Sequence, residues 1–412
     1  MAESALGKRK ADGDDDAGHA GKVSKVEGDK AGLIDSIRLG SIATYAARRP
    51  SAMQLPQRLA SFSYDERRAL HHDDRSIRYY HAPPPQGDLN RGYANLVQRD
   101  DTINEHLDSL CLALMHLADA KGEDEERKRT NVITWRGMMT RLCTALYEKR
   151  SGFEMNAMVV GDTLYLEEHV GPRQAADKAR QQSDDRQRRF AYYGYAFESY
   201  TCFERRTGPA SPREHWDGDV NTNVQWCSIV RTKLGSSRLI LGGEVDAVDP
   251  HDHSTFVEVK TSMQIRNERD ESNFESKLLR FYFQSFLLGV QRLVVGFRDG
   301  RGILRHVSNY ETLKVPRFVR GRATEWDPVA CLNFADEILV RIRRRITEDQ
   351  GGQETPSVFR LSFAPPFDEV TLRKLTPEEV CADVHGGKDD PTRMGFLLKE
   401  YYDFARASQP GA

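Results

Sequence analysis

The stretch GGEVDAVDPHDHSTFVEVKT, residues 242–261, contains five carboxylates and a single lysine, Lys260. Both of its ends alternate between polar and apolar residues, and side chains alternate between the two faces of a β-strand. Glu244 and Asp246 therefore share one strand face, and Glu258 and Lys260 share a face of the next strand. The sequence predicts two neighbouring strands that present an acidic surface backed by apolar core.

Carboxylates that converge on such a surface repel one another, and at neutral pH some take up protons unless a cation intervenes. A hard divalent cation with oxygen ligands removes this conflict. Asp followed by Glu-x-Lys on the next strand is also the pattern of restriction-type nucleases, in which the acids hold Mg²⁺ or Mn²⁺. There the lysine orients or helps to deprotonate the attacking water. The alternative is an amphipathic hairpin with a solvated acidic face, because Glu-x-Lys alone is common by chance.

An aromatic run upstream, FAYYGYAFESYTCF at 190–203, supplies another candidate ligand. Burial of Tyr195 and Phe197 or their neighbours leaves Glu198 in an otherwise apolar setting. Acidic side chains are seldom buried without a partner. A metal ion is one such partner, and an arginine is the alternative.

The periodicity of the remaining segments predicts an α/β (α+β) fold, a single large domain with a central mixed β-sheet flanked by helices. Segment 172–189 is strongly charged and is expected to be helix or loop. We expect helices over 105–119, most of 131–148, 273–290 and from about 327, and strands over 158–168, 224–234, 237–248, 254–261 and the hairpin 291–307. Residues 31–412 are expected to form one catalytic domain.

Composition limits the classes of protein that this chain can belong to. It has 412 residues, 39% of them hydrophobic, and no run approaches the length of a membrane span, so no membrane association is expected. Six scattered cysteines are typical of reduced thiols. With a formal net charge of −2, sequence-independent binding to polyphosphate is not expected, although a local basic groove is compatible with it.

Residues 1–30 are small and charged, so they bury too little surface to offset the entropy of ordering, and a disordered tail is predicted. Lys8-Arg9-Lys10, followed by Lys22 and Lys25, matches a nuclear import signal. This predicts a nuclear protein, with the cytoplasm as a second location. The alternative is a solvated charged tail.

Several ordered motifs together strongly resemble the DXO family of eukaryotic decapping exoribonucleases, which includes the fungal partner of the nuclear 5′–3′ exoribonuclease. The resemblance covers about residues 55–345. Its motifs are WRG (135–137), GYAFE (194–198), GEVD (243–246), VEVKT (257–261), QSFLLGV (284–290) and GFR (296–298).

The resemblance implies a PD-(D/E)xK-nuclease-like active site with two divalent cations, Mg²⁺ or Mn²⁺, held by Glu198, Glu244, Asp246, Glu258 and the main-chain carbonyl of Val259. It implies that Lys260 and Gln284 position the scissile phosphate and the nucleophilic water. It also implies that Arg136, within Trp135-Arg136-Gly137, contacts the RNA backbone or the departing 5′ group. For Gln284 the alternative is a helix–helix hydrogen bond, and for Arg136 a structural ion pair.

Three further residues, Arg67, Glu105 and Cys227, match family positions that line the substrate pocket. Because Arg68 follows Arg67 directly, the register of this arginine stays open by one residue. For Cys227 the alternative is a packing role in the core, since a small buried thiol needs no functional explanation.

The expected function is a metal-dependent hydrolase acting on RNA 5′ ends: removal of triphosphate, incomplete or unmethylated caps and NAD caps to leave a 5′-monophosphate. Moving the next phosphodiester into the same site would give 5′→3′ exoribonuclease activity. One alternative is a non-catalytic protein that binds and stabilises a larger 5′→3′ exoribonuclease. A restriction-like DNA nuclease is the third.

Overall fold

Two β-sheets, one of ten strands and one of six, form the framework on which the helices pack. The computed structural model describes residues 31–407 except 85, 122–124, 205–215, 217 and 352–354. The predicted tail with its import signal lies outside the described residues. Gly32–Ala412 cluster into one compact unit.

The strands are β1 (Leu33–Arg38), β2 (Gln57–Tyr64), β3 (Leu70–His71), β4 (Tyr79–Tyr80), β5 (Val132–Trp135), β6 (Phe153–Val160), β7 (Thr163–His169), β8 (Cys202–Phe203), β9 (Gln225–Leu234), β10 (Ser237–Glu244), β11 (Ala247–Val248), β12 (Phe256–Met263), β13 (Arg292–Arg298), β14 (Leu304–Glu311), β15 (Phe359–Phe363), β16 (Glu369–Lys374), β17 (Arg393–Met394) and β18 (Leu397–Leu398). The α-helices are α1 (Ile42–Ala46), α2 (Asp108–Lys121), α3 (Glu125–Lys128), α4 (Arg136–Thr144), α5 (Pro172–Ser183), α6 (Asp185–Thr201), α7 (Glu268–Phe286), α8 (Pro328–Gln350), α9 (Pro377–Glu379) and α10 (Lys399–Ala407).

Both sheets mix parallel and antiparallel pairs, as predicted for the fold class. The large sheet has the order β1-β16-β15-β6-β7-β5-β10-β9-β2-β3, with β5 parallel to both of its neighbours. The small sheet has the order β14-β13-β12-β11-β4-β8, with β12 parallel to β13.

Helices cover both sheets. Alternate residues of β10 face opposite sides of the large sheet: Leu239 and Leu241 join a core with α4, α7, α8 and the small sheet, while Ile240 packs with α2 and α10. On the small sheet, α6 packs against Val257 and Val294. No helix in the described ranges is long and apolar enough to cross a membrane.

The stretch 242–261 differs from its predicted geometry in one respect. The prediction of a single strand over 237–248 beside the next strand is wrong, because the chain changes sheet at Val245-Asp246. β10 ends at Glu244 in the large sheet, whereas β11 pairs antiparallel with β12 in the small one, with Ala247 opposite Val257.

Three other segments correct the sequence-based boundaries. The predicted helix over 131–148 begins with β5, a central strand of the large sheet. Segment 158–168 belongs to a hairpin, β6–β7, that turns at Gly161-Asp162. The aromatic run lies mostly in α6, which buries Phe197 and leaves Tyr195 40% exposed, so the expected burial holds for only one of the two.

Candidate active site

The predicted acidic residues come together where the two sheets approach each other. Glu244 lies at the end of β10, Asp246 follows it, Glu258 lies on β12 and Glu198 lies on the last turn of α6. Each of these carboxylates acts electrostatically on at least one of the others. The four predicted acids are therefore one cluster, although they come from both sheets and a helix.

Two consecutive glycines let the start of α4 lie directly on β10. A Cβ at Gly243 would come within 2.7 Å of Leu288 Cδ1 and 3.1 Å of Arg136 Cβ. A Cβ at Gly242 would come within 2.9 Å of the Trp135 ring. Since only glycine permits this approach, these positions bring Trp135 and Arg136 to the edge of the acid cluster.

Lys260 is the cation closest to these acids. Its Nζ lies 2.5 Å from Glu258 Oε1 and 3.7 Å from Asp246 Oδ2. The main-chain N–H of Val259 donates to Asp246 Oδ2 at 2.7 Å, which fixes that carboxylate against β12. Lys260 thus partly neutralises the pair of acids between which it lies.

Arg136 and Gln284 meet on the opposite side of Glu258. Arg136 Nη1 donates to the main-chain carbonyl of Gln284 at 2.7 Å and lies 3.7 Å from Glu258 Oε2. Arg136 therefore has the structural ion pair that was its alternative role. The half-buried side-chain amide of Gln284 makes no hydrogen bond to any residue in the described ranges, so the structure gives no support to its helix–helix alternative.

The charges of the cluster are not balanced by its neighbours. Burial, followed by repulsion from the other carboxylates, raises the pKa values of Glu198, Glu244 and Asp246 to about 7 each. Burial also acts to raise the pKa of Glu258, but Lys260 and Arg136 outweigh it and hold that pKa below its ordinary value. Three acids therefore resist ionisation at a pH where carboxylates are normally charged.

These residues fit a hard divalent cation. Glu258 Oε2 is buried and accepts no hydrogen bond from any described residue, so a strong acceptor lacks a donor. The donors to an ion would be oxygens, the class that Mg²⁺, Mn²⁺ and Ca²⁺ prefer. As the side chains stand, no three His, Cys, Asp or Glu groups in the described part of the chain are close enough to share one ion. To share one ion, the acids would have to lie closer together than they do here.

The structure distinguishes the two adjacent arginines of the predicted pocket by their contacts. Arg67 is exposed, whereas the Arg68 guanidinium donates to Glu105 Oε1 and Oε2, both at 2.7 Å. Arg68 also stacks on Tyr64, with its Cζ 3.6 Å from the ring centroid. The arginine that meets Glu105 is therefore Arg68. The physical reason is its left-handed backbone, φ 64°, which turns the side chain inward.

Two polar residues of the site were not predicted. Arg78 Nη1 lies 3.4 Å from Glu198 Oε1, so Glu198 has the arginine partner that was the alternative to a metal ion. Gln225 Nε2 donates to Glu244 Oε2 at 2.8 Å. Arg78 lies within the region 55–345 that the family resemblance covers, and Gln225 is the second residue of the predicted strand 224–234, but no local pattern marks either as a partner of these acids.

The remaining predicted residues lie around the same edge. Cys227 is buried and is paired across the strands with Glu244. The Trp135 indole donates to the main-chain carbonyl of His106 at 2.9 Å. A Cβ added at Gly137 would meet no heavy atom within 4 Å, so this position borders open space.

A family model described as RAI1-like PD-(D/E)XK nuclease matches residues 54–402 of the chain. Among curated proteins, the decapping nuclease RAI1 of Mycosarcoma maydis is 37% identical in an alignment of 447 positions, gaps included, that covers 86% of this chain and 88% of that protein. The human decapping and exoribonuclease protein is 36% identical over 330 residues, covering 77% of this chain and 80% of that protein.

Solved structures of Rai1 proteins have a similar fold. S. pombe Rai1 in complex with 3′-FADP has a TM-score of 0.63 and 27% identity, covering 82% of this chain and all (100%) of that chain. Candida albicans Rai1 in complex with pU5 and Mn²⁺ has a TM-score of 0.73, covering 92% of this chain and 99% of that chain. At 22% identity, the second comparison supports the fold alone.

Proposed function

The chain belongs to the RAI1-like PD-(D/E)XK nuclease family, and on that basis we propose that it is a metal-dependent hydrolase that removes defective 5′ ends from RNA. The observation that carries the proposal is the cluster of four acids beside Lys260 and Arg136, in which Glu258 is buried and Glu198, Glu244 and Asp246 are partly buried. A chain that acted only by binding another protein would have no reason to hold four carboxylates together against their mutual repulsion.

The proposed cofactor is a pair of divalent cations, Mg²⁺ or Mn²⁺, held by the four acids and the carbonyl of Val259. When bound, such ions supply Lewis-acid stabilisation of charge on the attacking and leaving oxygens of a phosphoryl displacement. The all-oxygen donor set of the cluster supports this choice, because Mg²⁺ and Mn²⁺ prefer oxygen ligands.

The protein's own residues then act on the substrate. Arg136 presents a planar fork of donors that suits phosphate oxygens. Lys260 contributes a compact cation, and the Gln284 amide is free to orient the attacking water or a phosphate oxygen. Water attacks the first RNA phosphate, the bond from that phosphate to the 5′ group breaks, and the RNA keeps a 5′-monophosphate while the 5′ group departs with the bridging oxygen.

This reaction serves several substrates. Pyrophosphate leaves from a triphosphate end, the cap nucleoside diphosphate from an incomplete or unmethylated cap, and nicotinamide mononucleotide from an NAD cap. When the next phosphodiester occupies the same position, the reaction becomes 5′→3′ exonucleolytic. The S. pombe relative was solved with 3′-FADP, which supports a site that accepts dinucleotide ends.

We also propose that the protein works in the nucleus, where a 5′→3′ exoribonuclease would consume its monophosphate product. The basic run Lys8-Arg9-Lys10 supports this setting.

The proposal is tested with purified protein, Mg²⁺ or Mn²⁺, and end-labelled RNAs that carry triphosphate, unmethylated-cap or NAD ends. We expect 5′-monophosphate RNA from at least one of these ends, and no product with EDTA or with Glu258→Gln. Tight binding to an exoribonuclease without cleavage of any RNA would instead support the scaffold alternative. Cleavage of duplex DNA in preference to RNA would support the DNA nuclease.

A further inference from the structure

A groove of about 770 Å³ opens from the active site at Gly137 and Gln284. Three helices line it, together with the ends of strands β6, β7 and β15 and the loops beside them. The helical residues are Gly137, Thr140, Arg141 and Thr144 of α4, Arg280 and Gln284 of α7, and Pro172, Arg173, Gln174, Asp177, Lys178, Arg180 and Gln181 of α5. Gly137 and Gln284 belong to the predicted substrate site, so the groove begins beside that site.

The basic side chains of the groove outnumber the acidic ones. Three of the cations are paired with carboxylates: Arg141 with Glu168, Arg180 with Asp177, and Arg280 with Glu148. The fourth carboxylate, that of Glu154, lies 3.9 Å from His169.

Three cations remain, and these are Arg150, Arg173 and Lys178. None of them forms an ion pair with a carboxylate in the part of the chain that the structure describes. Their side chains are exposed. The groove therefore carries local positive charge on a chain whose net charge is −2.

We propose that this groove binds the single-stranded RNA segment immediately 3′ of the scissile phosphate, with Arg150, Arg173 and Lys178 contacting its backbone phosphates. This inference rests on the proposed function, because it assigns the part of the same substrate that must leave the active site. A basic groove that follows the backbone is the usual device of proteins that hold single strands without reading their sequence. Gln174 and Gln181 add amide donors and acceptors to the same wall.

RNA is a better occupant than an acidic peptide, because the groove begins beside the site where the scissile phosphate is expected to bind. The carboxylates of such a peptide would have to be presented in a groove that begins at the residues expected to grip the scissile phosphate, Gln284 and Gly137. The RNA chain is already attached to that phosphate, so entering the groove requires no second binding event.

Helix α5 makes the inference testable without damage to the fold. None of its residues is buried, and surface substitutions of this kind rarely change stability by more than about 0.5 kcal/mol. The variants are Lys178→Glu and Arg173→Glu. Lys388→Glu is the matched control, since it makes the same charge change at an exposed bend outside the groove.

The measurement compares a 5′-triphosphate dinucleotide with a long single-stranded RNA that carries the same 5′ end. We expect each groove variant to raise the KM of the long RNA about tenfold and to leave the dinucleotide unchanged. For binding of the long RNA, the slope of log K against log salt should fall by about 0.7 for each phosphate that the variant no longer binds. Lys388→Glu should match the wild type in both assays.

An unchanged KM and salt slope for the long RNA would overturn the groove. An equal loss of kcat/KM on the dinucleotide and on the long RNA would also overturn it, because that result would locate the defect in the active site. If the wild-type protein cleaves neither substrate, the proposed function fails, while the salt slope measured by fluorescence anisotropy still decides whether the groove binds RNA.

Discussion

A chain of polar contacts connects the predicted substrate pocket to the acid cluster. Glu105 accepts from Arg68, Arg68 Nη1 donates to Gln225 Oε1 at 2.5 Å, and Gln225 Nε2 donates to Glu244 Oε2 at 2.8 Å. Because Arg68 is also stacked on Tyr64, this chain holds Glu244 in a fixed orientation. Residues that never touch a metal ion therefore position one of its predicted ligands.

Arg68→Lys tests this connection. Lysine keeps the charge but cannot make the forked contact with Glu105 while also reaching Gln225, so we expect kcat/KM on a triphosphate RNA to fall about tenfold. Arg67→Lys is the control, because Arg67 is exposed, and it should be neutral. Equal effects of the two substitutions would return Arg67 to the substrate pocket.

Two substitutions in the acid cluster should inactivate the protein while changing stability in opposite directions. Glu198→Gln removes one of the repelling acids, so the metal-free protein should gain about 1 kcal/mol in its free energy of unfolding at about pH 8. Lys260→Met removes the cation beside Asp246 and Glu258, so it should lose about 1–3 kcal/mol. Both should reduce kcat at least about 100-fold.

Urea unfolding in EDTA, together with the decapping assay, measures both quantities. Met introduces no charge and fills similar space, so cavity formation should contribute little to the comparison. Destabilisation by both substitutions would show that Glu198 has a structural role, most directly through its contact with Arg78.

At the level of elements, the sequence correctly predicted which residues share a strand face, but it predicted only part of the strand pairing. Strand periodicity placed Glu258 and Lys260 on one face of β12 and the valines on the face that packs on α6. It could not reveal that the chain changes sheet at Val245-Asp246, because a period of two continues through both sheets and strand pairing depends on distant segments. The predicted start of α7, residue 273, lies five residues after the observed start at Glu268. The sequence does contain a start signal there, because the side chain of Asn267 accepts from the main-chain N–H of Asp270.

The arginine register shows a different limit of sequence reasoning. A left-handed φ at a non-glycine residue such as Arg68 is rare, so no local pattern predicts which of two adjacent arginines turns inward. Arg78 and Gln225 were missed because their partners are fixed only by the tertiary fold.

The segment that leads into α2 is held by a buried network. His106, in a left-handed backbone conformation with φ 46°, places its Nδ1 2.8 Å from Glu167 Oε2. Asn156 Nδ2 donates to the other oxygen of Glu167 at 2.7 Å, and the Trp135 indole donates to the His106 carbonyl. This network fixes the segment that carries Glu105 relative to the one that carries Arg136.

His106→Ala should therefore displace the segment that carries Glu105, although His106 itself lies outside the predicted substrate pocket. It leaves the buried Glu167 carboxylate with one fewer partner, which should cost about 1–3 kcal/mol in the free energy of unfolding. It should also raise KM for triphosphate RNA more than it lowers kcat, because it loosens the pocket and not the acid cluster. His116→Ala is a histidine control outside this network. Reduced stability with an unchanged KM would limit His106 to a structural role.

For the whole molecule, the proposed metal ions would bind the same acids that take up protons, so both would influence how stability depends on pH. The folded pKa values of Glu198, Glu244 and Asp246 are raised to about 7, above those of the unfolded chain. Between about pH 4 and pH 7 the unfolded chain therefore releases protons that the folded protein keeps, so the contribution of these acids to stability falls as pH rises. Glu258 has a lowered pKa, and its contribution is lost only at lower pH.

In EDTA, the melting temperature should accordingly fall between about pH 5.5 and pH 8 by a few degrees, at roughly 1–3 °C per kcal/mol for a chain of this size. A divalent ion binds the deprotonated acids, so adding Mg²⁺ or Mn²⁺ should raise the melting temperature more at about pH 8 than at about pH 6. Glu198→Gln should flatten the EDTA profile and abolish most of the response to metal. A response to metal that is the same at both pH values would mean that the ion binds elsewhere, and the acid cluster would then lose its proposed role.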